Sequence, residues 1–530
     1  MSSRRLVFIL LLLLAAAAYA DAPGVYAITG GTVHPVSGPE IANGIVIVRG
    51  GLIESVGANI PIPADATVID VKGGHVYPGL IDAQTSLGFA SAAPRRTGRG
   101  AGRMAPPAAE LPETSPAYLA AREAKISDDD LDAKRATGVT TIVTAPSFGI
   151  FNGQSVVLNL NEGPNESRVI RATAAEQISF NPRPAWTFPD SLMGVVAYIR
   201  QTFMDAQQYS TARAIYDKNP AGLKRPDDNQ SLQALDGVLR RDVPVVFIAD
   251  TETMMRRAQA IAREFNIRYI LSGARQGYRM ADELKGAPVL VSVRWPVAPS
   301  VREDREDQPL RIIRDRQLAP TTPAALAKSG VTFALVSGAA GKTSDFLPGI
   351  RKAIDNGLTS DDALRAVTLS PARILGIDRQ VGSLDRGKIA NVVVTDKPLF
   401  TKDAKVKRVY VDGREIRLPS EETARRGGEA ASPIEGTWHL TVKTPQGDVS
   451  ISATLHVESG NITGSFSGDR GAGEIRNGTI DGNTVGFTIA AQTQAETSDW
   501  VFHGTLRDGN LEGTVSTTIG TFPFSGSKSR

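Results

Sequence analysis

Short apolar runs separated by glycine turns open the chain. Within residues 25–77, VYAITGG, GIVIVRGGLIESVG and ATVIDVKGGHVYPG read as a meander of short strands joined by tight turns. The same texture returns at 382–417, in GSLDRGKIANVVVTDKPL and KVKRVYVDGREI. Two such flanks around a long middle predict one small composite β-sandwich built from both ends. Between them, strand-like apolar runs alternate with helical patterns, the rhythm of a parallel βα barrel. The pattern predicts strands at Gly79–Asp82, Val139–Ala145, Val156–Leu160, Val243–Ala249, Arg268–Leu271, Val289–Val293 and Val331–Val336. Predicted helices include Met193–Lys218, Thr253–Phe265, Pro323–Lys328 and Ser360–Thr368. The last begins at a capping box, Thr359 with Asp362. Ser370-Pro371 then opens a further turn that Gly376 closes.

Two stretches break this rhythm. Residues 89–117, rich in Ala, Pro, Gly and Arg, have no apolar period and predict a loop over the barrel mouth. Residues 421–432, EETARRGGEAAS, have the composition of a linker. Beyond them, about eight short strands with Asp-Gly and Gly-Asn turns predict a separate antiparallel β domain at 433–530, sandwich or closed barrel. Its three histidines, His439, His456 and His503, alternate with apolar neighbours such as Trp438, Leu440, Leu455 and Phe502. Strand parity therefore turns all three outward.

The first twenty residues stand apart. Arg4 and Arg5 precede the apolar run Leu6–Ala18, and Ala18-Tyr19-Ala20 has the small-x-small form of a cleavage site. We therefore expect 1–20 to be a signal peptide and the mature chain to be exported, periplasmic or secreted, with no membrane span after cleavage. Losing two arginines lowers the formal net charge from +3 to +1, which gives no reason to expect nucleic acid as a partner. The chain has no cysteine, so disulfides and thiolate sites are excluded and the fold rests on its cores.

The string PGLIDAQTS at 78–86, with GLTSDDALRAVTLSPARILGIDRQVGSLDRGKIANVVV at 357–394, resembles the amidohydrolase superfamily, and in particular its exported imidazolonepropionase-like group. The resemblance spans roughly residues 25–417. It implies a distorted TIM-type (β/α)8 barrel at 78–380, with the composite sandwich supplied by 21–77 and 381–420. It also implies hydrolysis of C–N bonds other than peptide bonds, with one or two metal ions held by histidines after barrel strands 1, 5 and 6 and an aspartate after strand 8.

Here the match stops. Gln84 and Ser86 stand where the paired histidines of the first strand would be. The corresponding later positions fall at Ala249, Ser272 and Ala339, and no histidine lies between His75 and His439. Neutral amide and hydroxyl oxygens are poor substitutes for imidazole at a zinc-type site. The metal matters because it brings the pKa of bound water from about 15.7 to about 7. No Gly-x-Ser-x-Gly elbow offers another nucleophile. The sequence thus predicts no cofactor and a non-catalytic protein binding a small ligand, or an active amidohydrolase relative through a homo- or hetero-oligomer interface. One alternative is metal-independent hydrolysis by Asp250 and Glu252, though both also suit the start of the following helix, Asp250 as its cap and Glu252 in its first turn. Another makes the C-terminal β domain the ligand- or surface-binding part.

Overall fold

The computed structural model describes residues 24–89, 115–298 and 308–418, apart from 148, 183–187 and 339–342. It also describes 434–529, apart from 445–446, 459–460, 470, 482–483, 493–496, 508 and 518–519. The expected signal peptide, the linker at 421–432 and most of the loop at 89–117 lie outside the described residues. Among the described residues, no helix is long and apolar enough to cross a membrane. The chain divides into two compact units, one ending at Leu418 and one formed by the C-terminal β domain.

In the first unit, both flanks contribute to a single eight-stranded sheet. His75–Pro78 pairs antiparallel with Val392–Thr395, Val393 lying opposite Tyr77, and parallel with Tyr26–Val33. Alternation divides the side chains between two buried faces. Ile28, Val46, Val48, Val76, Val392 and Val394 make the sheet's own core, while Tyr77, Val393, Val409 and Val411 join the core of the barrel. Burial on both sides explains the unbroken apolar run at 392–394. Asp412 and Gly413 both have positive φ, 53° and 70°, the backbone that a two-residue hairpin turn requires. That turn joins Val406–Val411 to Arg414–Ile416.

Eight runs line the barrel: β1 (Leu80–Thr85), β2 (Val139–Thr144), β3 (Val156–Asn159), β4 (Glu176–Ser179), β5 (Val245–Ala249), β6 (Tyr269–Gly273), β7 (Val289–Ser292) and β8 (Phe333–Val336). β1 and β2 are parallel, and β4 to β8 pair in parallel sequence. β3 departs from the all-parallel expectation, because it runs antiparallel to β2. The extended segment that ends in β3 first pairs antiparallel with β4 through Phe151–Gln154. At Ser155 it crosses between the half-sheets, bonding Ala175 O through its N–H and accepting from Ala174 N, both at 2.8 Å. Inside, Ile81, Val143, Val157, Val246, Ile270, Leu290 and Ala334 fill the lumen. The opposite parity, including Leu80, Ile142, Leu158, Phe247, Leu271 and Phe333, packs under the helices.

The other seam, between β1 and β8, is closed by charge. Asp82 and Lys134 are both almost fully buried, with Nζ 2.6 Å from Oδ2. Lys134 comes from α1 (Asp128–Ala136), which starts at Ser127, whose Oγ accepts from Asp130 N. Just after β8, Ser337 donates to Asp82 twice, through N at 3.0 Å and Oγ at 2.6 Å. The Phe346 ring covers the ammonium at 5.9 Å. Three donors thus offset the desolvation of one carboxylate.

The C-terminal unit is a closed eight-stranded antiparallel barrel. Its strands Gly436–Thr444, Gly447–Glu458, Asn461–Gly468, Arg476–Asp481, Thr484–Gln492, Thr497–Arg507, Asn510–Thr517 and Gly520–Lys528 form a ring. The Gly447–Glu458 to Asn461–Gly468 pairing completes it. Side chains fill the interior: Phe487 stacks on Phe502 at 4.8 Å, and Phe524 meets Phe502 edge-on at 5.1 Å. Trp438 is fully buried and donates to Ile434 O at 2.6 Å. His439, His456 and His503 are exposed.

The Asp82–Lys134 pair yields a quantitative expectation. Lys134→Met keeps the bulk but leaves a carboxylate buried beside a methyl group, and should cost about 3–5 kcal/mol in equilibrium urea unfolding. Adding Asp82→Asn should recover part of the loss. At the exposed Arg200–Glu264 pair, 2.6 Å apart, Arg200→Ala should cost less than about 1 kcal/mol. Equal losses at the two sites would remove the special role given to the seam.

Candidate functional site at the barrel mouth

The register of β1 against β2 shifts between Asp82 and Thr85, a bulge that re-aims the following side chains. Beyond it, Gln84 is buried and its Nε2 donates to Gln177 Oε1 at 3.3 Å. β1 and β4 are not neighbours, so this bond crosses the lumen. Gln177 in turn donates to Ser155 Oγ at 3.2 Å, and Ser155 Oγ donates to Ala175 O. The relay runs from the first strand to the crossover seam without a charge. Gln84 Oε1 is left buried with no partner. Ser86 lies half-buried just past β1.

The far ends of β5 and β6 carry charges that neutralise one another. Asp250 pairs with Arg275 at 2.9 Å, and Glu252 pairs with Arg256 at 3.0 Å. Gln276 accepts from Glu252 N at 3.0 Å and donates to Asp315 on α4 (Leu310–Leu318). Tyr278 donates to the same carboxylate at 2.7 Å. Each carboxylate of the candidate acid/base pair therefore has its own guanidinium.

Several sequence expectations change on the structure. Helix α3 (Glu252–Glu264) is capped by Thr251, whose Oγ1 accepts from Met254 N, and not by Asp250. Glu252 does stand in its first turn. On β5, Ala249 shares the parity of Phe247 and packs in the core beneath the helices. The side chain that turns into the lumen is Ile248, packed against the lumen cluster. Ser272 is buried on the lumen parity of Ile270, while Ala339 lies outside the described residues. Gln177, Ser155 and Arg275 were not foreseen. The only signal for the first two was their polarity in strands where apolar residues are the rule.

A metal centre of the family type would draw on imidazole, thiolate or carboxylate donors. The lumen instead presents one orphan amide oxygen on Gln84, the Ser272 hydroxyl and the aliphatic Ile248. Among the described residues, no three His, Cys, Asp or Glu side chains converge on a common point. This donor set does not fit a zinc-type ion.

Comparison with known proteins sets this site in context. The model of the Amidohydrolase family matches residues 314–416. Imidazolonepropionase of Symbiobacterium thermophilum is 24% identical over 407 residues, covering 68% of this chain and 85% of that protein. The imidazolonepropionase of Acinetobacter baumannii is 24% identical over 386 residues, covering 67% and 88%. The crystal structure of an amidohydrolase from Thermotoga maritima matches with a TM-score of 0.62 at 25% identity, over 74% of this chain and 100% of that one. In sequence and in fold the chain is thus similar to the amidohydrolase superfamily. It is hydrolase-like in the manner of those proteins, and a C-terminal antiparallel β domain follows the barrel in sequence.

In this amidohydrolase-like barrel one further carboxyl is unusual. Glu176 of β4 is fully buried, and neither oxygen has a hydrogen-bond partner. Burial pushes its pKa well above the ordinary 4.5. Such a group stabilises the fold fully below about pH 4.5. That contribution is withdrawn as pH climbs through the raised native value, because the unfolded chain has already released its proton. Glu176→Gln should therefore gain stability on the wild type with each pH unit above about 4.5, and lose that advantage in acid. Urea unfolding from pH 4 to 8 measures this; a constant difference across the range would show Glu176 to be ionised in the fold.

Proposed function

We propose that this protein is an exported amidohydrolase-superfamily member that has lost metal-dependent hydrolysis and uses the barrel mouth to bind. The occupant is a small neutral ligand or a chain segment of a catalytically competent relative. The observation that carries the reading is the Gln84–Gln177 hydrogen bond across the lumen. It occupies the centre of the mouth with a neutral amide pair, where a nucleophile-generating ion would otherwise need strong donors. Ile248, aliphatic and turned inward, supports the same reading. So does the neutralisation of Asp250 and Glu252 by Arg275 and Arg256, which leaves no free carboxylate to act as base. Export rests on the basic, apolar and small-residue order of 1–20.

The test is an activity assay with added zinc, manganese or cobalt against N-acyl amino acids, dipeptides and cyclic amides. Wild type should show no turnover above the metal-only background. Gln84→His/Ser86→His should behave the same, because two histidines fall short of the three or four ligands and outer support that catalytic sites use. Metal-dependent turnover by either protein would return it to the enzymes.

A further inference from the structure

The first unit contains only two histidines, 41 residues apart in sequence, and the fold brings them into contact. His34 follows strand Tyr26–Val33, and His75 opens the parallel strand beside it. Their facing nitrogens, His34 Nε2 and His75 Nδ1, are 3.1 Å apart. We propose that these two imidazoles form a site for one divalent ion of the zinc, copper or nickel type, on the composite sheet and separate from the barrel mouth.

The spacing suits such an ion. Two ligands on a tetrahedral centre with bonds of 2.0–2.1 Å stand about 3.3 Å apart, so the nitrogens need to part by only about 0.2 Å. The His34 ring is already held, stacked on Tyr77 at 4.4 Å with planes 9° apart. Its other nitrogen, Nδ1, faces Glu40 Oε2 at 3.6 Å. A proton on Nδ1, the nitrogen turned toward this carboxylate, leaves Nε2 free to ligate. In the present contact His75 Nδ1 then donates to His34 Nε2. Binding an ion moves that proton to His75 Nε2, a tautomer exchange with no net proton released.

His34, which contacts His75, also lines a cavity of about 370 Å³ together with Ser37, Glu40, Asp361 and Arg365. No third His, Cys, Asp or Glu among the described residues already converges on the pair. The remaining positions therefore fall to solvent, with the exposed carboxylate of Asp361 lining the same cavity. Burial lowers both imidazole pKa values, and for His34 the nearby His75 lowers it further.

The site shares no residue with the barrel mouth, so it stands or falls independently of the reading above. The full chain, stripped with chelator, is titrated with zinc by calorimetry and with cobalt(II) by visible absorption. One ion per chain is expected. His34→Ala and His75→Ala should each weaken binding more than about tenfold, and Glu40→Gln, exposed and harmless to the fold, about tenfold. Gln84→Ala should leave the titration unchanged. No uptake at millimolar zinc would overturn the proposal, as would uptake that persists unchanged in both histidine variants.

Discussion

The buried pair of Asp82 and Lys134 is the interaction on which the barrel most depends. A barrel needs its first and last strands to meet, and here that seam is held by one carboxylate accepting from a helix lysine and from the serine just after β8. Removing either partner would leave the other buried without its counter-charge. The pair therefore fixes α1, β1 and β8 to one another. Gln84 sits two residues beyond Asp82, so the same anchor determines where the mouth begins.

That proximity shows how closely the fold-bearing and mouth-facing positions of β1 lie to one another. Leu80 and Ile81 supply packing on the two faces of β1, Asp82 closes the seam, and only residues past the bulge reach the mouth. Substitutions at 84 and 86 leave the closure of the barrel untouched. The barrel closes around a lumen in which Gln84, Gln177 and Ser155 bond in series.

Much of the architecture was legible because it follows simple periods. The flanking β segments, seven barrel strands and the outward histidines of the C-terminal unit all show alternation or apolar runs that survive in the structure. β4 was missed because Glu-Gln-Ile-Ser carries three polar residues in four, although all four are buried. The strand Phe151–Gln154 was missed because Gly153, at φ 88°, interrupts it. The antiparallel turn of β3 depends on the Ser155 crossover, a tertiary event with no local period. At the site, one residue of offset on β5 exchanged Ala249 for Ile248, since neighbouring strand residues face opposite ways. The Gln84–Gln177 contact was beyond reach, because nothing in either segment encodes its partner 93 residues away.

The pairing of His75–Pro78 with Val392–Thr395 sets a clock on synthesis. A strand finished near residue 78 must wait more than three hundred residues for its neighbour. At 5–20 residues per second, that is roughly 15–60 s. Throughout that interval the amino-terminal strands lack one side of their sheet and the hydrophobic face that Val393 and Val409 later cover. A nascent chain in this condition stays open and accessible to chaperones until nearly the whole first unit has been made. Delay of this kind is a property of the topology itself, written into the order in which the strands are made.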